Sequence, residues 1–163
     1  LERTIIGRRV SEVELDLLLL LEPEAVVVDP IDCPSDATNG VRGATRYDEI
    51  ARAVAEWIEQ EVLPGADKGR KKFLSKVAMN AMGILEREER FGDIFAERAA
   101  IRLEELRLTD ADLIKAASQG ALDLTDPKLL SHLRQSALES IHIDQIRYPG
   151  YRHARNLWCE SQK

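Results

Sequence analysis

The sequence predicts an all-α fold, a helical bundle of about five helices preceded by an amphipathic helical arm. Apolar residues recur at three- and four-residue spacing along most of the chain, the period of a helix with one buried face. Helix-start signals recur between those stretches, and after residue 45 no run alternates as a half-buried strand would. The 163 residues suffice for one domain with a core plus an appended segment. The expected division is an arm over 1–22, a linker over 23–44 and a bundle over 45–163.

The arm, RTIIGRRVSEVELDLLLLLEPE, places Ile6, Val10, Val13, Leu17, Leu20 and Leu21 on one helical face and ends at Pro23. The next segment holds Pro30, Pro34, Gly40 and Gly43 with only Val26-Val27-Val28 prone to strand, and reads as a linker or an ordered surface strap. A capping-box pattern at Thr45-Arg46-Tyr47-Asp48 starts a second helix that turns Tyr47, Ile50, Ala51, Val54, Trp57, Ile58 and Val62 inward until Leu63-Pro64-Gly65 stops it. A third runs from Phe73 to Phe91-Gly92, and a fourth, from about Asp93 to Leu108, packs Phe95, Ala99, Leu103 and Leu106. Thr109 and Asp112 open a short fifth helix that stops at Gly120. Asp126 as N-cap and Pro127 at the first helical position open a sixth, with Leu130, Leu133, Ala137 and Ile141 inward, and the residues from Arg147 to Tyr151 close it as a turn.

A formal charge of −6 argues against nonspecific nucleic-acid binding, which draws its affinity from neutralising phosphates with Lys and Arg. The leucine run from Leu17 to Leu21 is flanked by Asp16 and Glu22 and is far short of the roughly 20 apolar residues that span a bilayer. The first residues lack the charged-then-apolar order of a signal peptide. Cys33 and Cys159 lie near opposite ends without ligand spacing, which suggests free thiols, a cytoplasmic location and no zinc. The chain begins at Leu1, so an upstream segment is expected.

In the third helix Glu88 falls within the apolar stripe of Leu74, Val77, Ala78, Ala81, Ile84 and Leu85, with Asn80 and Arg87 at its flanks. Asp144 lies similarly among Leu133, Ala137 and Ile141. Two carboxylates near helix C-termini meet the unfavourable end of the dipole and require compensation, for which Asn80, Arg134, Arg147 and Arg152 are the candidate donors. Such a cluster is either an ion-pair network that sets helix packing or a carboxylate and arginine site for acid–base work or ligand binding. His132, His142 and His153 show no HxxxH or HExxH spacing, and no phosphate loop or nucleophile elbow occurs, so no cofactor or metal is expected. Lys68, Arg70, Lys71, Lys72 and Lys76 form a basic run that is either a solvated face or a patch for an anionic ligand or an acidic protein.

The segments VAMNAMGILEREERFG and LLSHLRQSALESIHIDQIRYPGYR resemble an uncharacterised bacterial family of small helical proteins, over about residues 46 to 155. Its pattern of Asn-Ala, Arg-Glu and a closing HLR…D…RYPG(Y/F)R is matched by Asn80, Arg87, Glu88, His132, Leu133, Arg134, Asp144, Arg147, Tyr148, Pro149, Gly150 and Arg152, with Gln145 standing where the family usually has Asn. Members are often encoded beside an aminoglycoside-phosphotransferase-like protein and an acyl-CoA dehydrogenase, and IIGRRVSEVELDLLLLL is similar to a C-terminal helix of such phosphotransferase-like proteins. The resemblance implies a non-catalytic accessory module that docks onto one of these enzymes, with the phosphotransferase's own catalytic residues outside this sequence. A homodimer through the arm is a further expectation, because the arm's apolar stripe must find a surface.

Overall fold

The structure is a computed structural model that describes residues 10–21, 27–32, 46–66 and 69–159. The described residues form six α-helices and no named strand: α1 (Val10–Leu19), α2 (Tyr47–Trp57), α3 (Arg70–Leu106), α4 (Asp110–Ser118), α5 (Pro127–Asp144) and α6 (Pro149–Trp158). They divide into two compact units, one drawn from 34–93 and the other from 8–33 with 94–163.

In the first unit α2 runs on into a π-helical turn, Ile58–Val62. Thr45 of the expected capping box lies outside the described residues; Asp48 instead pairs with Arg46 through two bonds of 2.9 and 3.0 Å. The buried side of α2 is Asp48, Ala51 and, just beyond it, Ile58. Tyr47, Ile50, Val54 and Trp57, which the apolar pattern turns inward, are exposed, Tyr47 at 72% and Trp57 at 58%. Apolar side chains cover a wider arc of α2 than the one side it buries, and the narrow side with alanine is the buried one.

α3 begins in the first unit and ends in the second. It joins the two helices that the sequence divides at Phe91-Gly92. A glycine inside a helix costs only about 1 kcal/mol relative to alanine, no proline interrupts the 37 residues, and Phe91 is buried at the expected break. The helix stops where Arg107 adopts φ 55° and the Leu108 and Arg107 amides close on the Leu103 and Glu104 carbonyls, a Schellman ending without glycine. α4 has the full capping box expected at Thr109 and Asp112, and ends the same way at Gly120, φ 64°.

In the second unit α1 packs on α5 and α6, and α5 on α6, around Leu15, Leu18, Val27, Ala137, Leu138, Ile141, Tyr151, Ala154 and Trp158. Asp126 and Pro127 start α5 as the sequence indicates. On α1 Ser11, Leu15 and Leu18 are buried, while Val10, Val13, Leu17 and Leu20 of the expected apolar stripe are exposed, Leu20 at 80%, and Ile6 lies outside the described residues. The expected closing turn is instead the start of α6, with Tyr148 as N-cap and Pro149 at the first helical position. Within the expected linker, Val27 bridges to Cys159 and Pro30–Asp32 form a 3-10 turn, a strap held on this unit.

Candidate functional site

The polar groups of the second unit form three clusters, and the most buried is one the sequence did not point to. Glu139 of α5, 4% exposed, receives Arg102 of α3 in a two-pronged pair of 2.7 and 3.2 Å. The same guanidinium donates to Ser136 Oγ at 3.2 Å and His132 Nδ1 at 3.4 Å. Gln135 completes the network: its Nε2 donates to Glu139 and to the Val28 carbonyl, and its Oε1 accepts from the Val28 amide at 2.7 Å. Spacing places His132, Gln135, Ser136 and Glu139 on one side of α5, so a polar row faces Arg102 while Ala137, Leu138 and Ile141 face the apolar core. Because an arginine only donates, His132 Nδ1 is the acceptor and Nε2 carries the proton; Nε2 makes no hydrogen bond among the described residues. Burial, then the charge of Arg102, pushes the His132 pKa down, so the ring is neutral near pH 7. It borders a cleft of about 280 Å³ with Arg102, Glu105, Lys128 and Ser131. Among the described residues no three His, Cys, Asp or Glu side chains are grouped to hold a metal.

The second cluster ties α1 down. Ser11 donates to Asp144 at 2.9 Å, and the Tyr148 hydroxyl donates to Asp16 at 2.7 Å. Gly150 lies under the Tyr148 ring: a Cβ there would stand 2.6 Å from Tyr148 Cε1 and 3.1 Å from Asp16 Oδ1. The Tyr-Pro-Gly sequence therefore builds an N-cap, a first helical residue and a clearance for the ring that anchors α1. In the third cluster Arg155 grips Asp29 at 2.6 and 2.8 Å and lies over the Tyr151 ring. Tyr151 OH meets His142 Nδ1 at 2.7 Å, and Phe95 meets the His142 ring edge-on. Burial opposes the charge on Asp29, yet the Arg155 bonds and the Ile31 amide outweigh it and hold the carboxyl below its usual range. Burial and the nearby Asp29 push the Cys159 thiol up to about 11, so Cys159 is a poor nucleophile.

The residues singled out from the sequence fare differently. Arg134 is fully buried, donates to the Leu21 carbonyl at 3.3 Å and stacks over Trp158. Asp144 is half-buried on Ser11, and Tyr148 is bound to Asp16. Arg147 and Arg152 are exposed and have no partner among the described residues. In the first unit Asn80 and Arg87 are half-buried, but Glu88 is exposed, contrary to its expected core-facing position. The helical stripe containing Glu88 is itself outward in part, with Leu74 and Leu85 also exposed. Arg87 lies back along α3 over one glycine and Glu88 forward over another: a Cβ on Gly83 would be 3.1 Å from Arg87 Nη1, and one on Gly92 2.8 Å from Glu88 Oε1. Glu88 belongs to the first unit and Asp144 to the second. Lys68 lies outside the described residues; Arg70, Lys71, Lys72 and Lys76 are exposed, and Arg70 and Lys71 rim an apolar groove of about 600 Å³ lined by Trp57, Ile58, Val62 and Leu74.

Arg102, Gln135, Ser136 and Glu139 are what sequence reasoning missed. The available signal was the four-residue spacing of His132, Ser136 and Ser140 beside Gln135 and Glu139, a polar row on a helix whose other faces are apolar.

No curated protein and no solved structure matches the chain at a significant level. A family profile does match residues 64–151, a little over half of the chain, spanning α3 to the start of α6 and hence the Arg102–Glu139 network and the Tyr-Pro-Gly corner. The chain belongs to that family, described as "Domain of unknown function (DUF6285)".

Proposed function

We propose that the chain is a non-catalytic helical accessory module that docks onto a phosphotransferase-like or acyl-CoA-handling enzyme. The supporting observation is α1, which is apolar on two sides. Leu15 and Leu18 are buried in its own unit, and Val10, Val13, Leu17 and Leu20 remain in solvent as a second stripe. Each such side chain gains roughly 1.5–3 kcal/mol on full burial, so the stripe favours a partner. Glu14 stands beside it, which suits a partner with a basic flank. The resemblance of this segment to a phosphotransferase-like C-terminal helix supplies the partner class. The rival site of Glu88, Asp144 and Arg147 has less support, since Glu88 and Arg147 are exposed and Asp144 is engaged by Ser11.

The test is co-elution on size exclusion with a phosphotransferase-like and an acyl-CoA dehydrogenase-like protein of the same organism. Co-elution that Leu17→Glu abolishes supports the module; migration apart at micromolar concentration refutes it. If the stripe serves a homodimer through the arm instead, the isolated chain is a dimer and Leu17→Glu makes it a monomer.

A further inference from the structure

The outward side of α2 is a second unpartnered stripe with a different character. Tyr47, Ile50, Val54 and Trp57 follow each other at spacings of three, four and three, the narrow seam of a two-helix pair, and all four are exposed. On the solvent side the seam is flanked by Ala53, small and uncharged, and on the other by Ala51, which is buried in its own unit. The charged residues of α2 lie elsewhere around the helix. Asp48 is buried with Arg46, Arg52 is bound to Glu86 of α3 at 2.7 and 3.1 Å, and Glu49 and Glu56 are well away from the seam.

We propose that this seam is a homodimer interface, in which α2 of one copy packs antiparallel on α2 of a second copy of the chain. An isologous contact requires that a surface complement itself. A two-fold axis passing beside Arg52 does this, setting Ile50 of each copy against Val54 of the other and Tyr47 of each against Trp57. Ala53 keeps the solvent side of this contact small, and no charge enters the seam. The occupant is a second copy for this reason: a charged partner has nothing to pair with along the stripe, whereas an identical helix fills it at every position. The groove supports the same pairing. Trp57 ends the seam and also lines the cavity with Leu74 and Ala78, rimmed by Arg70 and Lys71, so Tyr47 of the other copy lies at its mouth, with its ring on carbon and its hydroxyl toward the cations. A single pair of three-turn helices buries a small interface, which implies a dimer that dissociates in the micromolar range.

Sedimentation of the full chain across micromolar concentrations tests this. A concentration-dependent dimer is expected, with Ile50→Glu and Val54→Lys each monomeric while circular dichroism and melting stay close to those of the parent at concentrations where it is a monomer, because both side chains are exposed. Mixing the two variants is the decisive step. In the antiparallel arrangement one of the two central contacts then sets the introduced glutamate against the introduced lysine, and the other is the parent Ile50–Val54 contact, so the mixture dimerises where neither variant does alone. A chain that is monomeric at every concentration overturns the proposal. So does a dimer that survives both substitutions and is lost with Leu17→Glu, or a mixture that stays monomeric when the parent dimerises. The partner test of α1 reads a different surface and is independent of these outcomes.

Discussion

At the scale of single residues, burial and pairing rather than residue type separate Glu139 from Glu88. Glu139 is enclosed and paired, so Arg102→Ala, which leaves that carboxylate buried without its cation, is expected to cost about 3 kcal/mol or more in denaturant unfolding. Glu88→Ala is expected to cost under about 0.5 kcal/mol, the reverse of what its place on the helical wheel suggested. The wheel gave the angle of Glu88 correctly but not which side of α3 is covered, because period alone cannot say where the neighbours are. His132 gives a pH signature. Its folded pKa lies below the ordinary 6.5, so the fold favours the neutral ring; the stability it contributes is present above 6.5 and is lost as pH falls through 6.5 toward the folded value. Asp29 acts in the same direction on a lower window: its depressed pKa contributes stability above about 4 that is lost on further acidification. His132→Gln should therefore flatten the fall of melting temperature between neutral and mildly acid pH and leave the steeper loss below about 4. A slope unchanged by that substitution would mean that the ring titrates normally in the fold.

Among the elements, the ones with chemical start signals were legible and the ones decided by packing were not. Thr109 with Asp112, and Asp126 with Pro127, gave α4 and α5 at the right residues because those caps are local hydrogen bonds written in adjacent positions. α6 carries an equally local signal, Pro149 at its first position, yet its short amphipathic run was eclipsed by the turn-like Tyr-Pro-Gly. The second break in reading, at Phe91-Gly92, failed because glycine is a weak stop when no left-handed residue follows it. The stop actually used is Arg107, a residue with a Cβ in a conformation that favours glycine. Arg107→Gly is accordingly expected to stabilise the chain by about 0.5–1 kcal/mol, visible as a small rise in melting temperature. Gly150→Ala should do the opposite. The added methyl meets the Tyr148 ring, the Tyr148–Asp16 bond is displaced, and a loss of about 1–3 kcal/mol follows. Tyr148→Phe, which keeps the ring and removes only the bond, should cost about 1 kcal/mol, so the pair of variants separates clearance from hydrogen bonding.

On the scale of the whole molecule, the two units differ in how much apolar surface they enclose, and this sets which one yields first. The second unit surrounds Trp158, 1% exposed, with Leu15, Leu138 and Ile141, all fully buried. Among the described residues the first has Ala51, Ile58, Ala66 and Phe91 inside and leaves Tyr47, Trp57, Phe73 and Leu74 in solvent. A unit with few buried apolar contacts opens at lower free energy than one with a closed core, even when a single helix passes through both. The sequence has only two tryptophans, and each unit holds one of them. Fluorescence of Trp57→Phe therefore reports the second unit alone and Trp158→Phe the first, although the latter also opens a core cavity, so the parent's far-ultraviolet dichroism is needed beside them. We expect the dichroism of the parent to fall in part before the Trp158 signal moves, and backbone amides of Tyr47–Trp57 to exchange faster than those of Leu133–His142. Coincident transitions by every probe would show instead that the 37-residue helix couples the units into one cooperative system. If α2 pairs with a second copy, raising the protein concentration should move the first transition and leave the second in place, since mass action stabilises only the unit that carries the seam.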